Sequence, residues 1–471
     1  MKILLVDPPV DQIVDFIPYR KGPAFSLGLL SIESYLEKHG YTDIKLENFF
    51  NCRWNEVEIR LRRSNPDLIG ISCVSDSRGF CWHLAKLAKE INPRVKIVLG
   101  NVHATFFPRQ LLEHYPVDFC VLFEGEQTML KLLKALESGE KNYREIQGLA
   151  WHDGDNGEIC LNEPRPLMRD LDAIPINTKR RIFINEMGKK QANMMSSRGC
   201  PFNCGFCSSA AFWGHTWRKH SAQRVVNEFE MLVKQGAEVI DMVDDLFSMD
   251  FERAEDICDM LIKNKNTIPW FARARVDRIT EKLVDKMIVA GCKEISFGIE
   301  SGDPEMIKRL NKKIDLEQAV EVFHMLQTKK LIARANFMVG NPGETLETVE
   351  ASIRLARRMN PTNIIASIAR IYPNTMLDRE AQKHGLIAPK FWYLDVAPVP
   401  YYTVDMSYEQ LQALATRMLF KWAVYRGPWA VGRMVYSNWR VSGTQRSLSF
   451  ILNWFRSWLP RRGVQKVTEN K

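Results

Sequence analysis

The chain has 471 residues, enough for two to three domains with cores of their own. Its hydrophobic content of 45% and charged content of 26% are ordinary for a globular protein. The net charge of +9 is carried entirely by residues 421–471, where ten Lys or Arg meet one acid, so the body lacks the basic stripe that nucleic acid would need.

No stretch of 18 uncharged apolar residues offers a membrane span, and MKILLVDPPV does not read as a signal peptide. Ten cysteines in such a chain argue for a cytoplasmic protein rather than a disulfide framework. Cys52, Cys73, Cys81, Cys120, Cys160, Cys258 and Cys292 read as small buried hydrophobes.

Residues 1–140 alternate strand and helix patterns. KILLVD (2–7) is a strand, and SLGLLSIESYLEKHGY (26–41) has helical spacing at Leu29, Ile32 and Leu36 before a stop at Gly40. DIKLEN, a helix near 55–64, DLIGISCV (67–74) and a helix through 80–90 continue the rhythm. VKIVLGN (95–101), DFCVLFEGE (118–126) and a helix over about 127–137 complete it. Five strands alternating with helices predict a doubly wound parallel sheet, whose ligands lie beyond the carboxyl ends of the strands. Residues 141–189 change character. GLAWHDGDNGEICLN carries a hairpin signal at Asp-Gly and Asn-Gly, and PRPLMRDLDAIPIN reads as a linker.

A second series occupies 190–380. Its strands are ANMMSSR (192–198), EVIDMVDD (238–245), WFARARV (270–276), EISFGIES (294–301), ARANFMVG (333–340) and IIASIARIYP (364–373). Six βα units predict an α/β fold of the open, partial (β/α)6 barrel type, active at the carboxyl ends of its strands. Polar residues gather there: a cysteine loop, Asp244 and Asp245, Arg275, Glu300 and Ser301, Asn341 to Glu344, Tyr372 and Asn374. Residues 381–471 form a helical, basic and aromatic extension.

The loop reads Arg198-Gly-Cys200-Pro-Phe-Asn-Cys204-Gly-Phe-Cys207. Thiolates at this spacing can wrap an iron–sulfur cubane, and no fourth Cys or His follows. Structural zinc and electron-transfer clusters take four protein ligands, so three leave one iron open to a substrate. Zinc completed from a distant loop is the competing reading.

Cys-x3-Cys-x2-Cys with Phe206 before the last cysteine resembles the radical S-adenosylmethionine superfamily. That resemblance implies a [4Fe–4S] cluster on Cys200, Cys204 and Cys207, which cleaves S-adenosylmethionine to a 5′-deoxyadenosyl radical. It also implies an electron donor such as a flavodoxin, ferredoxin or reductase. SFGIES resembles the family's fourth-strand segment, with Glu300 and Ser301 at the ribose or amino group. FMVGNPGET resembles its adenine loop, which assigns Asn341 and Gly343, while Arg275 is placed to meet a carboxylate. Asp244 and Asp245, in MVDDLF, stand where the family contacts the methionine amine or the substrate.

The strings VDPP, PDLIGISCVS, LGNVHATFFP and FEGEQT resemble the cobalamin-binding subfamily. The resemblance puts cobalamin across the strand ends, near Ser72, Ser75, Asn101, His103 and Thr105. Two departures matter. DPPVDQIVDF lacks the histidine that ligates cobalt in many cobalamin domains, and Asn101 stands where relatives usually have glycine. His103 reads as a hydrogen-bonded loop histidine, and a relic domain that only shapes the substrate cavity is the competing reading.

Residues 421–462 interleave Trp422, Trp429, Trp439, Trp454 and Trp458 with seven arginines. Leu448, Ile451, Leu452, Phe455 and Leu459 make one apolar helical face, which suits either the inner face of an anionic membrane or a cap on the barrel. The whole predicts a cobalamin-dependent methyltransferase acting on an unactivated carbon of a bulky, lipophilic substrate, such as an isoprenoid lipid or tetrapyrrole. Radical cyclisation of the anaerobic magnesium-protoporphyrin type is the nearest alternative, and a tRNA methylthiotransferase is the outside one.

Overall fold

The computed structural model describes residues 1–9, 24–153, 157–179, 181–185, 187–394, 397–428, 430 and 432. Its first sheet contains β1 (Ile3–Asp7), β2 (Ile44–Asn48), β3 (Leu68–Ser72), β4 (Lys96–Gly100), β5 (Phe119–Val121), β6 (Leu149–His152) and β7 (Ile159–Leu161). The spatial order is β2-β1-β3-β4-β5-β6-β7, parallel through β5 and antiparallel beyond it. All five residues of β3 are buried, because helices cover both faces of a parallel sheet. Separate apolar clusters fill the two faces, one around Ile71, Leu84 and Leu99, the other around Leu5, Leu36 and Leu133.

The doubly wound reading therefore holds, with two adjustments. The hairpin over 149–161 pairs its first strand with β5 and forms the far edge of this sheet. Two short helices, Asn101–Phe106 and Pro108–His114, stand between β4 and β5, where no helix is predicted. Pro108 at the first position of the second helix starts it without wasting a donor.

The second sheet contains β8 (Ile182–Ile184), β9 (Lys190–Met194), β12 (Val239–Met242), β13 (Trp270–Ala274), β14 (Cys292–Glu300), β15 (Ile332–Val339) and β16 (Asn363–Ile368). Strands β9 and β12 to β16 are parallel neighbours in chain order, and β8 runs antiparallel beside β9. With β8 and β16 as edges, the sheet is open, as expected for a partial barrel. Between β9 and β12 lies a separate ribbon, β10 (Ser197–Gly199) antiparallel to β11 (Trp217–Lys219).

Strict alternation gives this sheet two unlike faces. Ala333, Ala335, Phe337 and Val339 of β15 are buried beneath the helices, while Arg334, Asn336 and Met338 face the concave side. The covering helices begin at Ser221, Asp250, Thr280, Asp315 and Thr345, each accepting a backbone N–H as an N-cap. After β16 the chain returns to the first domain. Trp392 is 1% exposed, donates Nε1–H to Asp378 and accepts at its carbonyl from His103. The helix Tyr408–Arg426 then packs on the helix Leu346–Met359. The apolar face predicted around Leu448 to Leu459 lies outside the described residues. Among those described, no helix is long and apolar enough to cross a membrane.

Trp392→Ala opens a large cavity at this seam and is expected to cost ~3–5 kcal/mol. Urea unfolding followed by circular dichroism measures it, and an unchanged midpoint contradicts the assignment.

Candidate active site

Residues 200–216 form an excursion closed at its base by the β10–β11 ribbon. Three backbone contacts fix it. The Gly205 N–H donates to the Leu310 carbonyl (2.7 Å), the Gly205 carbonyl accepts from the Met376 N–H (2.8 Å), and Asn311 donates to the Asn203 carbonyl (2.6 Å). A Cβ at Gly205 would stand 3.0 Å from the Met376 sulfur, so that side chain would have to give way. Cys204 is buried, Cys200 is partly covered and Cys207 is exposed.

Burial raises the Cys200 thiol, which also feels Asp245 and Cys204. Among the described residues, no three His, Cys, Asp or Glu gather tightly enough for a single metal ion. A cubane gives each thiolate its own iron and so takes ligands spread more widely than one ion does. Cations stand ready to support thiolates here. Arg275 Nη1 is 4.0 Å from Cys204 Sγ, and Phe202 lies 3.7 Å beneath its guanidinium.

Arg275 is otherwise committed to Asp277 and to the carbonyls of Lys312 and Lys313, so it braces the cysteine loop instead of waiting for a carboxylate. Glu300 ends β14 in the left-handed region, with φ of +69°, after a register shift in the β14–β15 ladder. It pairs at 2.9 Å with Lys312. Burial opposes the charge on Lys312, but Glu300 holds its ammonium above the ordinary range. Phe206 lies under the same ammonium, 5.7 Å away.

Other expected contacts turn inward. Asp244 is fully buried and accepts from the N–H and hydroxyl of Ser196 and the hydroxyl of Ser197. Burial raises its carboxyl against those bonds. It ties β12 to the start of the cysteine segment, whereas its neighbour Asp245 is exposed and accepts from Ser209. Ser301 is buried against Ser352. Asn341 is buried with Glu344, and the Gly343 N–H donates to Asp405. Gly343 has φ of +75°, and a Cβ there would collide with Arg309.

Beside the loop lies a cavity of about 610 Å³. One wall is the carboxyl end of the first sheet, including Asp7, Ser72, Gly100 and Asn101. The other includes Asn193, Arg198, Phe212, Trp213 and Val243 of the second domain. The size lies within the roughly 300–1,000 Å³ usual for ligand pockets. Mostly apolar walls with a few hydroxyls suit a large ring with a polar rim. Burial pushes Asp7, at the mouth of β1, up to about 6.

Ser72 and Asn101 reach this cavity and are joined by a 3.0 Å hydrogen bond. Asn101 has φ of +79°, and asparagine is among the few residues that tolerate this conformation. Ser75, His103 and Thr105 are elsewhere. His103 is fully buried between the Ser75 hydroxyl and the Trp392 carbonyl, and burial with Arg78 nearby lowers it to about 3. Thr105 accepts from the Phe123 N–H. The residues that join the two walls, Arg198, Arg218, Glu124 and Glu126, are not singled out by sequence reasoning. Their only trace is adjacency: Arg198 precedes the cysteine motif, and the two acids lie in FEGEQT.

Comparison with known proteins agrees with this division. Residues 194–356 match the Radical SAM superfamily model, and residues 17–133 match the B12 binding domain. An uncharacterized methyltransferase of Pyrococcus horikoshii is 33% identical over 411 residues, covering 85% of this chain and 87% of that one. An anaerobic magnesium-protoporphyrin IX monomethyl ester cyclase of Rubrivivax gelatinosus is 31% identical, covering 70% of this chain and 61% of the cyclase. The cobalamin-dependent S-adenosylmethionine radical enzyme OxsB, solved with aqua-cobalamin and S-adenosylmethionine, superposes with a TM-score of 0.73 at 18% identity. The match covers 97% of this chain and 75% of OxsB, and it concerns the fold.

The two adjacent aspartates should part company on mutation. Asp244→Ala strands three buried donors and is expected to cost ~1–3 kcal/mol, while Asp245→Ala stays within about 0.5 kcal/mol of the parent. Thermal denaturation of both variants decides, and equal losses contradict the inward placement of Asp244.

Proposed function

This chain belongs to the radical SAM superfamily, in the group that carries a B12 binding domain, and we propose that it exchanges a C–H hydrogen for a methyl group on a bulky substrate. The observation that carries this reading is the shared cavity: the strand ends of the B12 binding domain and the flank of the cysteine loop enclose one space. The 33% identical methyltransferase supports transfer of a methyl group. The cluster, when bound, supplies the electron that splits S-adenosylmethionine into a carbon radical, and cobalamin supplies a methyl carrier.

In this reading Cys200, Cys204 and Cys207 ligate the cluster. Arg275 and Phe202 hold the middle thiolate in place and offset its charge. Glu300, paired with Lys312, accepts from the ribose or amino group of S-adenosylmethionine. Ser72 and Asn101 give the cobalamin cavity its hydrogen bonds, and the apolar wall of Phe212 and Trp213 keeps water from the space between the cofactors.

The concave face of the barrel bears on the substrate. Arg273 pairs with Asp241 (3.0 Å), Arg334 pairs with Glu294 (2.7 Å), and Asn336 donates to Ser296 (2.9 Å). The two arginines remain 44% and 36% exposed. A wholly lipophilic molecule gains little beside such a wall, whereas a large ring with carboxylate substituents, such as a tetrapyrrole, suits it. The 31% identical cyclase keeps radical cyclisation as the second reading. A flavodoxin- or ferredoxin-like donor supplies electrons in either case.

Anaerobic reconstitution should load about four irons, and Cys204→Ala should lose them together with deoxyadenosine formation. Protein purified with hydroxocobalamin should keep its absorbance after gel filtration. Methyl-labelled S-adenosylmethionine incubated with a cell extract should then leave the label on a new product; an unlabelled, oxidised product selects the cyclase reading instead.

Peripheral contact of residues 421–462 with an anionic membrane is a further part of the proposal, resting on Trp and Arg interleaving. Full-length protein should sediment with phosphatidylserine vesicles, and a chain ending at Gly427 should not.

A further inference from the structure

Arg198 and Arg218 are direct cross-strand partners at the base of the cysteine excursion. Both reach into the first domain and grip the same carboxylate. Arg198 Nη1 and Arg218 Nη1 lie 2.7 and 2.8 Å from Glu124 Oε1, and Arg198 Nη2 lies 2.7 Å from Glu126 Oε1. Ser31 closes the set, donating to Glu126 at 2.5 Å and accepting from Arg198 at 3.0 Å. Glu124 also accepts from the Met168 N–H. None of the three charged side chains Arg198, Glu124 and Glu126 is more than 10% exposed.

Two features make this a gauge and not merely a glue. Glu124, Gly125, Glu126 and Arg198 are themselves wall residues of the cavity. On the other side, Arg198 is separated from Cys200 only by Gly199, which is held at φ of +90° with the Thr216 carbonyl 2.3 Å from where a Cβ would stand. The link from cavity wall to first thiol is therefore short, buried and conformationally locked. Arg198 gives its two terminal nitrogens to two different carboxylates, and this fixes direction as well as distance, which a lysine's single ammonium does not.

We infer that Arg198, with Glu124 and Glu126, is a positioning residue that sets the spacing between the cobalamin cavity and the cluster loop. The inference rests on the proposed function. Spacing matters because misplacement by about 1 Å is enough to cost on the order of 100-fold in rate.

The test uses full-length protein loaded with the cluster and hydroxocobalamin, then reduced so that cob(II)alamin and the cluster are both paramagnetic. Pulsed electron paramagnetic resonance reads the distance between them without any substrate. The wild type should give one narrow distance. Arg198→Lys and Glu126→Gln, which keep the packing and part of the hydrogen bonding, should bind both groups yet roughly double the width of the distribution. Glu350→Gln, which breaks an ion pair with Arg417 and Lys421 far from the cavity, should match the wild type. Wild-type width in both loaded variants overturns the inference and leaves the proposed function standing. Broadening in Glu350→Gln as well overturns it in favour of general loosening. A wild type that takes up the cluster but no cobalamin overturns both.

Discussion

Both parallel sheets direct their carboxyl ends into the same space, and this constraint governs what each loop in the protein can do. A parallel strand delivers its chain to one end only, so loops that leave β1, β3, β4 and β5 meet those that leave β9 and β12. The cavity is the volume left between two such loop sets. Keeping it open requires the domains to stand together without filling it. Beside apolar contacts such as Phe123 on Phe212, the domains are joined by polar pairs: the Arg198 and Arg218 grip on Glu124 at the cavity wall, and a bridge from Arg370 and Tyr372 to Asp76. Such buried pairs bring little net stability, but losing one partner costs ~3–5 kcal/mol, which penalises any sliding of one domain over the other.

The same constraint bears on backbone strain at the strand ends. Asn101, Phe123 and Glu300 all have positive φ, and each stands at or just beyond a strand's carboxyl end. A chain leaving a strand there must turn sharply to keep its loop beside the space. Phe123 and Glu300 are the costly cases, since neither has the local hydrogen-bonding habit that lets asparagine adopt this region. Glu300 is held by Lys312, and Phe123 by its ring contact with Phe212 across the cavity.

Much of this was legible from the order of residues because it depends on local pattern. Alternation of apolar positions announced the strands of both domains, and three cysteines within eight residues announced a metal-binding loop. What escaped was pairing. Asp244 and Asp245 are neighbours of one type, yet one faces Ser196 and Ser197 and the other faces solvent, because successive residues leaving a strand point opposite ways. His103 was read correctly as hydrogen-bonded, but its partner Trp392 lies 289 residues away. The 149–161 hairpin was seen as a hairpin, while its docking on β5 depends on an edge that no local pattern marks.

The long-range pairs therefore decide the chemistry more than the motif does. Cys200, Cys204 and Cys207 could sit on any loop; what distinguishes this loop is that its base is tied to one domain and its tip to the other end of the barrel. Leu310 and Met376 hold Gly205 from the strand-end side, and Glu124 and Glu126 hold Arg198 from the cavity side. The loop is thus restrained at both ends by different elements, and a thiol between two fixed points has few directions left in which to move. Pre-organisation of this kind is what a reactive centre needs, because the cost of ordering the ligands is met when the chain folds and not when the cofactor arrives.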